Sequence, residues 1–223
     1  MSIIAFIPVR GGSKSIPLKN IKPFCGKPLV YWTAKAANEA VCVDRVIIAS
    51  DSKEIISTAE SFGLEKAAMY QRDPANAQDT SSTESVMLEY ISAAKLADED
   101  TFILVQATSP LTTAQDIDGA MRLFREGEYD SLLTCSRTKR FFWNPDGTPI
   151  NYDYKFRPRR QDFAGTLMEN GAFYISTVKA IRESKCRLSG KIGVYEMPEY
   201  CGVEIDEPAD WRASEELMRK IRQ

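Results

Sequence analysis

Arg10, Gly11, Gly12, Ser13 and Lys14 follow directly on the chain's first apolar run, and Lys19 and Asn20 stand a few residues further on. Adjacent glycines permit positive φ and close backbone approach, so that consecutive N–H groups can converge on an anion, while Arg10, Lys14 and Lys19 supply neutralising charge. A triphosphate is the natural guest. An ordinary basic surface turn would carry the same residues, but the flanking strand and the second basic pair argue for a built site. The P-loop pattern fails, because Lys14 is preceded by Ser13 and Gly26-Lys27 is followed by Pro28. The dinucleotide fingerprint also fails, because the glycines are adjacent and Pro17 follows within a few residues. Near the other end, Glu204 and Asp206 alternate on a short stretch, which puts both carboxylates on one face, where they can share a hard cation. Asp206 equally suits the cap of the last helix.

Histidine is absent, which removes imidazole acid–base catalysis, His-dependent nucleophiles and His metal ligands together. Chemistry must rest on carboxylates, Lys, Arg, amides, hydroxyls or a bound metal. The near balance of 29 basic and 31 acidic residues gives no positive field for nucleic acid, so phosphate binding must be local. No apolar run approaches the roughly 20 residues of a membrane span, and the N-terminus reads as a strand rather than a leader; a soluble, cytoplasmic protein is expected. The five scattered cysteines never form Cys-x-x-Cys, against a disulfide framework or a zinc site.

These residues need a scaffold. Strand-like runs at 3–9, 45–50, 101–106 and 131–136 alternate with amphipathic helical patterns at 29–40, 53–62, 83–97 and 114–126, the signature of a layered α/β domain with a mostly parallel sheet. Ser81 with Glu84 and Thr113 with Asp116 fit the capping-box spacing. In such sheets ligands sit beyond the carboxyl ends of the strands, which gathers Arg10–Ser15, Asp51 and the segment from Gln106 to Leu111 on one rim. From about 137 to 168 the pattern breaks: Phe141-Phe142-Trp143 reads as an aromatic strand entering a tight turn at Asn144-Pro145-Asp146-Gly147. This insertion suits a subunit interface or a lid. A strand at 170–176, a short helix from about Thr177, a strand at 192–197 and a helix after Pro208 complete one domain over 1–223.

Six segments in order, 8–20, Arg72 with 79–84, 104–111, 160–162, 169–174 and 204–206, make the chain resemble the CMP-sialic acid synthetases, or acylneuraminate cytidylyltransferases. The resemblance implies a nucleotidyltransferase (Rossmann-like) α/β fold, CTP and a 2-keto sugar acid as substrates, Mg²⁺ or Mn²⁺ as cofactor, and a homodimer formed largely through the insertion. Carried over residue by residue, it implies that Arg10, Gly11, Ser13, Lys14 and Lys19 hold the triphosphate, with Lys19 at the leaving oxygens. Asn20, Arg72, Ser82 and Thr83 would locate the cytidine, and Gln106, Arg160, Asn170 and Tyr174 the sugar acid. Asp206 and Glu204 would hold the metal, with Lys19, Arg10 and Asp206 as catalytic residues. Simple alternatives stand beside these roles: helix capping for Ser82, a solvated loop charge for Arg72, a strand-end amide for Gln106 and a core aromatic for Tyr174. The chain departs from the pattern at Glu204, where many members carry aspartate, at Thr112 and Met168, where arginine is common, and at Arg187-Leu188, where some carry aromatics. Sialic acid or its deaminated analogue leads as acceptor, with legionaminic, pseudaminic and Kdo-type acids as alternatives; a metal-dependent nucleotide hydrolase and a nucleotide-binding regulatory subunit are the rival readings.

Overall fold

The structure, a computed structural model, describes residues 1–12, 15–78 and 80–221. Its strands are β1 (Ile3–Pro8), β2 (Pro23–Phe24), β3 (Lys27–Pro28), β4 (Arg45–Ser50), β5 (Ala67–Gln71), β6 (Thr101–Val105), β7 (Ser131–Thr138), β8 (Thr166–Thr177) and β9 (Ile192–Met197). Its α-helices are α1 (Leu29–Glu39), α2 (Lys53–Glu60), α3 (Thr83–Ala93), α4 (Ala114–Glu126), α5 (Val178–Ser184) and α6 (Pro208–Ile221). Seven strands form one sheet in the order β5-β4-β1-β6-β8-β7-β9, in which β8 alone runs antiparallel, and β2 and β3 form a small separate pair.

The apolar runs of the central strands are continuous because helices cover both faces. Ile3, Ala5 and Ile7 of β1 join a core with residues of α1, α2, α4 and α6, whereas Ile4 and Phe6 join a second core with α3 and α5. The period of two along the strand thus divides the same segment between two layers. At the margin, Trp211 of α6 packs edge-on against Phe24, and Glu215 accepts a 2.8 Å hydrogen bond from the Cys25 amide, fixing the small hairpin to the domain.

The expected α/β layering holds, and α4 has the expected capping box: Thr113 accepts from the Asp116 amide and the Asp116 carboxylate accepts from the Thr113 amide. The α3 cap differs from expectation. Ser82, not Ser81, accepts from the Ser85 amide, because Glu84 is drawn instead to the Arg187 guanidinium, 2.6 Å away. β5 went unread in the sequence, since its half-exposed edge position leaves Ala67-Ala68-Met69-Tyr70-Gln71 without a buried run.

The insertion is also bounded differently. β7 runs on to Thr138 and β8 starts at Thr166, so the paired strands carry a loop over 139–165. The aromatic segment is not a regular strand: one bridge, Trp143 to Pro149, flanks the expected turn, where Gly147 has φ +83° and its amide donates to the Asn144 carbonyl. Phe141 stacks on Tyr152 at 4.1 Å, while Phe142, Trp143, Ile150, Tyr154 and Phe156 are exposed.

The β7/β8 register is interrupted between Leu133–Tyr174 and Cys135–Glu169, leaving a bulge on β8 at 170–173. Gly171 sits there at φ +61°, where a Cβ would also overlap the Glu204 carboxylate. Asn170 is buried beside it and donates to the Cys201 carbonyl at 3.1 Å, tying the bulge to the segment that carries Glu204 and Asp206. Gly171→Ala is therefore expected to cost about 1–2 kcal/mol, lowering the melting temperature by roughly 2–8 °C, a shift that differential scanning calorimetry reads directly.

Candidate active site

Asp51, at the end of β4, accepts the Gly11 amide at 3.1 Å. A Cβ on Gly11 would come within 3.1 Å of Ser52 Cβ, so the glycine permits a close approach of the first loop to the start of α2. Neither Gly11 nor Gly12 has positive φ, which corrects that part of the sequence argument: the tight packing on Asp51-Ser52, and not a left-handed dihedral, asks for glycine. Asn20, buried, donates its side-chain amide to the Arg10 carbonyl at 3.0 Å and so closes the same loop from the other side. Ser13 and Lys14, both expected at the triphosphate, lie outside the described residues, as does Asp79 of the quoted motif.

Beside this loop, a cavity of about 330 Å³ is lined by Arg10, Arg72, Gln78, Ser81, Ser82 and Thr83 at the start of α3, with Pro8 and Val86 beneath. Arg72 is 6 % exposed, yet its Nε has no hydrogen-bond partner among the described residues; its terminal nitrogen donates to the Asn76 carbonyl at 2.6 Å. Burial, aided by the charge of Arg10, pushes its pKa below the ordinary arginine value. A buried guanidinium with an unmet donor next to a second arginine is a cavity that asks for an anion or a polar ring. Ser82 keeps the capping role as well, since its hydroxyl accepts from Ser85.

Lys19 and Asp206 meet although 187 residues separate them. Lys19 Nζ lies 3.1 Å from Asp206 Oδ1 and 2.9 Å from the Ile205 carbonyl. Ile205, fully buried and held by its amide to the Thr108 carbonyl, anchors the stretch between the two carboxylates. No α6 amide donates to Asp206 among the described residues; Asp210, in the first turn of α6, reaches back instead and accepts from the amides of Asp206 and Glu207 at 3.2 and 2.8 Å. Glu204 is half-buried, and burial, with the charges of Asp206 and Glu169, raises its pKa. No hydrogen-bond donor meets it among the described residues, and no group of three metal-binding side chains converges there. Two oxygen donors of unbalanced charge suit Mg²⁺ retaining several waters.

Of the residues expected at the sugar acid, Gln106 fits best. It follows β6, its amide N–H donates to the Ala172 carbonyl at 3.0 Å, and its side chain is part-exposed at the rim. Asn170 and Tyr174 are corrections. The Asn170 amide group is committed to Cys201 and Met197 and its oxygen to the Ala172 amide. Tyr174 is 4 % exposed, packed in the α3/α5 core, and its hydroxyl donates to Glu169. Both side chains are consumed by holding the bulge. Arg160 is exposed on the insertion, paired with Glu199 at 3.6 Å in a basic pocket with Lys139, Arg140, Phe141 and Arg157, apart from the Arg10–Arg72 cavity. Asp51, expected on the rim at its strand end, holds the first loop there; Glu169 and the Arg187–Glu84 pair, which stood in or beside quoted motifs with no binding role assigned, join the same end of the sheet.

A mostly parallel sheet with one antiparallel strand, and a phosphate-type loop at the end of β1, define the α/β nucleotidyltransferase fold. The solved structure of CMP:2-keto-3-deoxy-manno-octonic acid synthetase complexed with CTP shares it, with a TM-score of 0.71, 20 % identity and 99 % of each chain covered. Residues 4–185 match the family model described as cytidylyltransferase, and the chain belongs to that family. N-acylneuraminate cytidylyltransferase B of Danio rerio is 38 % identical over 97 % of this chain and 51 % of its own, so the chain spans about half the length of that relative. Pseudaminic acid cytidylyltransferase of Campylobacter jejuni is 29 % identical over 92 % of this chain and 91 % of its own.

Because Asp210 satisfies the amides at the start of α6, Asp206→Ala is expected to leave the melting temperature within about 2 °C of the parent, whereas Asp210→Ala lowers it by roughly 2–4 °C, the effect of about 1 kcal/mol from hydrogen bonds lost at a helix start. Thermal melts of the two variants check the assignment. A larger loss in Asp206→Ala than in Asp210→Ala would return the capping role to Asp206.

Proposed function

We propose that this protein transfers CMP from CTP to the anomeric hydroxyl of a nonulosonic, sialic-type acid, giving the CMP-sugar and pyrophosphate. The observation that carries the reading is the meeting of Lys19 with the Glu204–Asp206 stretch at the same sheet end as the Arg10–Arg72 cavity. Cytidylyltransferase family membership gives the nucleotide its identity. The relatives' names, acylneuraminate and pseudaminic acid cytidylyltransferases, support the acceptor class while leaving other 2-keto sugar acids open.

In this mechanism Arg72, Ser82 and Thr83 take the nucleoside end and Arg10 the phosphates, with Ser13 and Lys14 as further phosphate donors. The acceptor hydroxyl attacks the α-phosphorus in line as the bond to pyrophosphate breaks. Lys19, freed from Asp206 by the incoming triphosphate, meets the charge that builds on the leaving oxygens. With no histidine, the hydroxyl proton passes to a carboxylate such as Asp206 or to a phosphate oxygen. Asp206 and Glu204 would hold Mg²⁺, which supplies charge neutralisation at the phosphates when bound. Positioning and electrostatics supply most of the rate.

The exposed aromatics of the insertion support a homodimer, because a lone subunit leaves Trp143, Tyr154 and Phe156 in water. No helix is long and apolar enough to cross a membrane, and the absence of disulfides among the described residues agrees with a reducing, cytoplasmic setting.

Three measurements test this reading. Lys19→Ala should lower kcat by roughly 10²–10³, the scale for removing one transition-state donor, with folding little changed; near-normal turnover at saturating CTP sinks the role. Pyrophosphate release that does not depend on the sugar acid would point to hydrolysis instead. Light scattering at micromolar concentration should give twice the chain mass of 25.0 kDa, and an active monomer would leave the insertion as a lid.

A further inference from the structure

Glu169 stands immediately before the β8 bulge, opposite Cys135 of β7, at the end of the sheet where Gln106 joins the bulge through the Ala172 carbonyl. It is exposed, yet one of its oxygens is fixed from beneath by the hydroxyl of buried Tyr174. Its other oxygen has no hydrogen bond or ion pair among the described residues.

The support beneath it is itself built. The Arg187 guanidinium lies 5.1 Å from the Tyr174 ring centroid and donates to Glu84 in the first turn of α3 at 2.6 Å. The Arg187 carbonyl accepts from Ser176 on β8 at 2.6 Å. The start of α3 at Ser82-Thr83 and the rim at Glu169 are thus joined through the part-buried Glu84 and Arg187 and the buried Tyr174. Glu169 also lies near enough to Glu204 for its charge to act there, although the pair repel. Glu169 gives the buried Tyr174 hydroxyl its acceptor, and the same bond fixes the exposed carboxylate in place while leaving its second oxygen available to a ligand.

Resting on the CMP-transfer reading above, we infer that Glu169 is an acceptor-binding residue, taking a hydroxyl of the polyol part of the sugar acid, with Tyr174 and Arg187 as the positioning residues behind it. An ionised carboxylate only accepts hydrogen bonds, so it selects a hydroxyl donor. It also repels the carboxylate of the substrate, which must face away from it. Glu169 thereby orients the acid along the cleft as well as binding it.

The test uses the full chain with CTP and Mg²⁺, and N-acetylneuraminic acid, its deaminated analogue, legionaminic acid, pseudaminic acid and Kdo as acceptors, following pyrophosphate release. Glu169→Gln, which keeps a partner for the Tyr174 hydroxyl, should raise the acceptor KM about ten- to a hundredfold, the range for losing a hydrogen bond to a charged group. The CTP KM, the Mg²⁺ requirement and the melting temperature should stay near the parent values. Tyr174→Phe should raise the acceptor KM to a smaller degree in the same direction. An unchanged acceptor KM in Glu169→Gln overturns the inference, as does a raised Mg²⁺ requirement with the acceptor KM unaltered, which would assign Glu169 to the cation. If the parent protein binds CTP by calorimetry but turns over none of these acids, the CMP-transfer reading falls and this one with it; turnover in the parent with a normal variant removes Glu169 alone.

Discussion

The break in β8 at Gly171 is the constraint on which the site depends. A strand antiparallel to its neighbours enters the sheet between β6 and β7, and its register gives way where the chain must pass beneath Glu204. Only a residue without a Cβ can turn there at φ +61° and leave room for that carboxylate. Asn170 then fastens the bulge to Cys201, and the segment from Val203 to Asp206 is carried to the rim, where Lys19 waits. Without the bulge, the carboxylates would have no fixed relation to the first loop.

Charge at this rim is arranged in opposition. Arg10 and Arg72 face one cavity with an unmet donor on Arg72, while Glu169, Glu204 and Asp206 gather on the far side with Lys19 among them. Burial lowers the Arg72 pKa against the opposing charges of Asp51 and Glu89, and burial with the like charges of Asp206 and Glu169 raises that of Glu204 despite Lys19. Such groups are kept where a ligand completes them. A nucleotide that brings negative phosphates to the arginines, and a cation that meets the carboxylates, would relieve both at once.

The rest of the fold keeps these halves in register. The two cores hold β1 between helices on either side, so the loop after it leaves the sheet at a set height. Asp51 and Asn20 clamp that loop from β4 and from the turn before the small hairpin. Arg187 links α3 to β8 on the same face through its hydrogen bond to Glu84 and its guanidinium over the Tyr174 ring.

Much of this was legible in the residues. Apolar runs with helical spacing between them specified the layered sheet, because strands buried on both faces are predominantly apolar. The basic glycine loop and the Glu204–Asp206 alternation marked two segments that the fold brings together through Lys19 and Asp206, and Thr113 with Asp116 marked a helix start that formed as read. What linear order could not give was the use of each polar side chain. Asn170 and Tyr174 sit in a motif that suggests ligand contact, but the bulge claims their hydrogen bonds, and a bulge arises from how two distant strands pair. Asp206 reads as a helix cap until Asp210 takes that place and Lys19, 187 residues away, takes the carboxylate. Local spacing determines periodicity and burial; which partner satisfies a polar group is decided by whatever tertiary packing brings within about 3 Å of it.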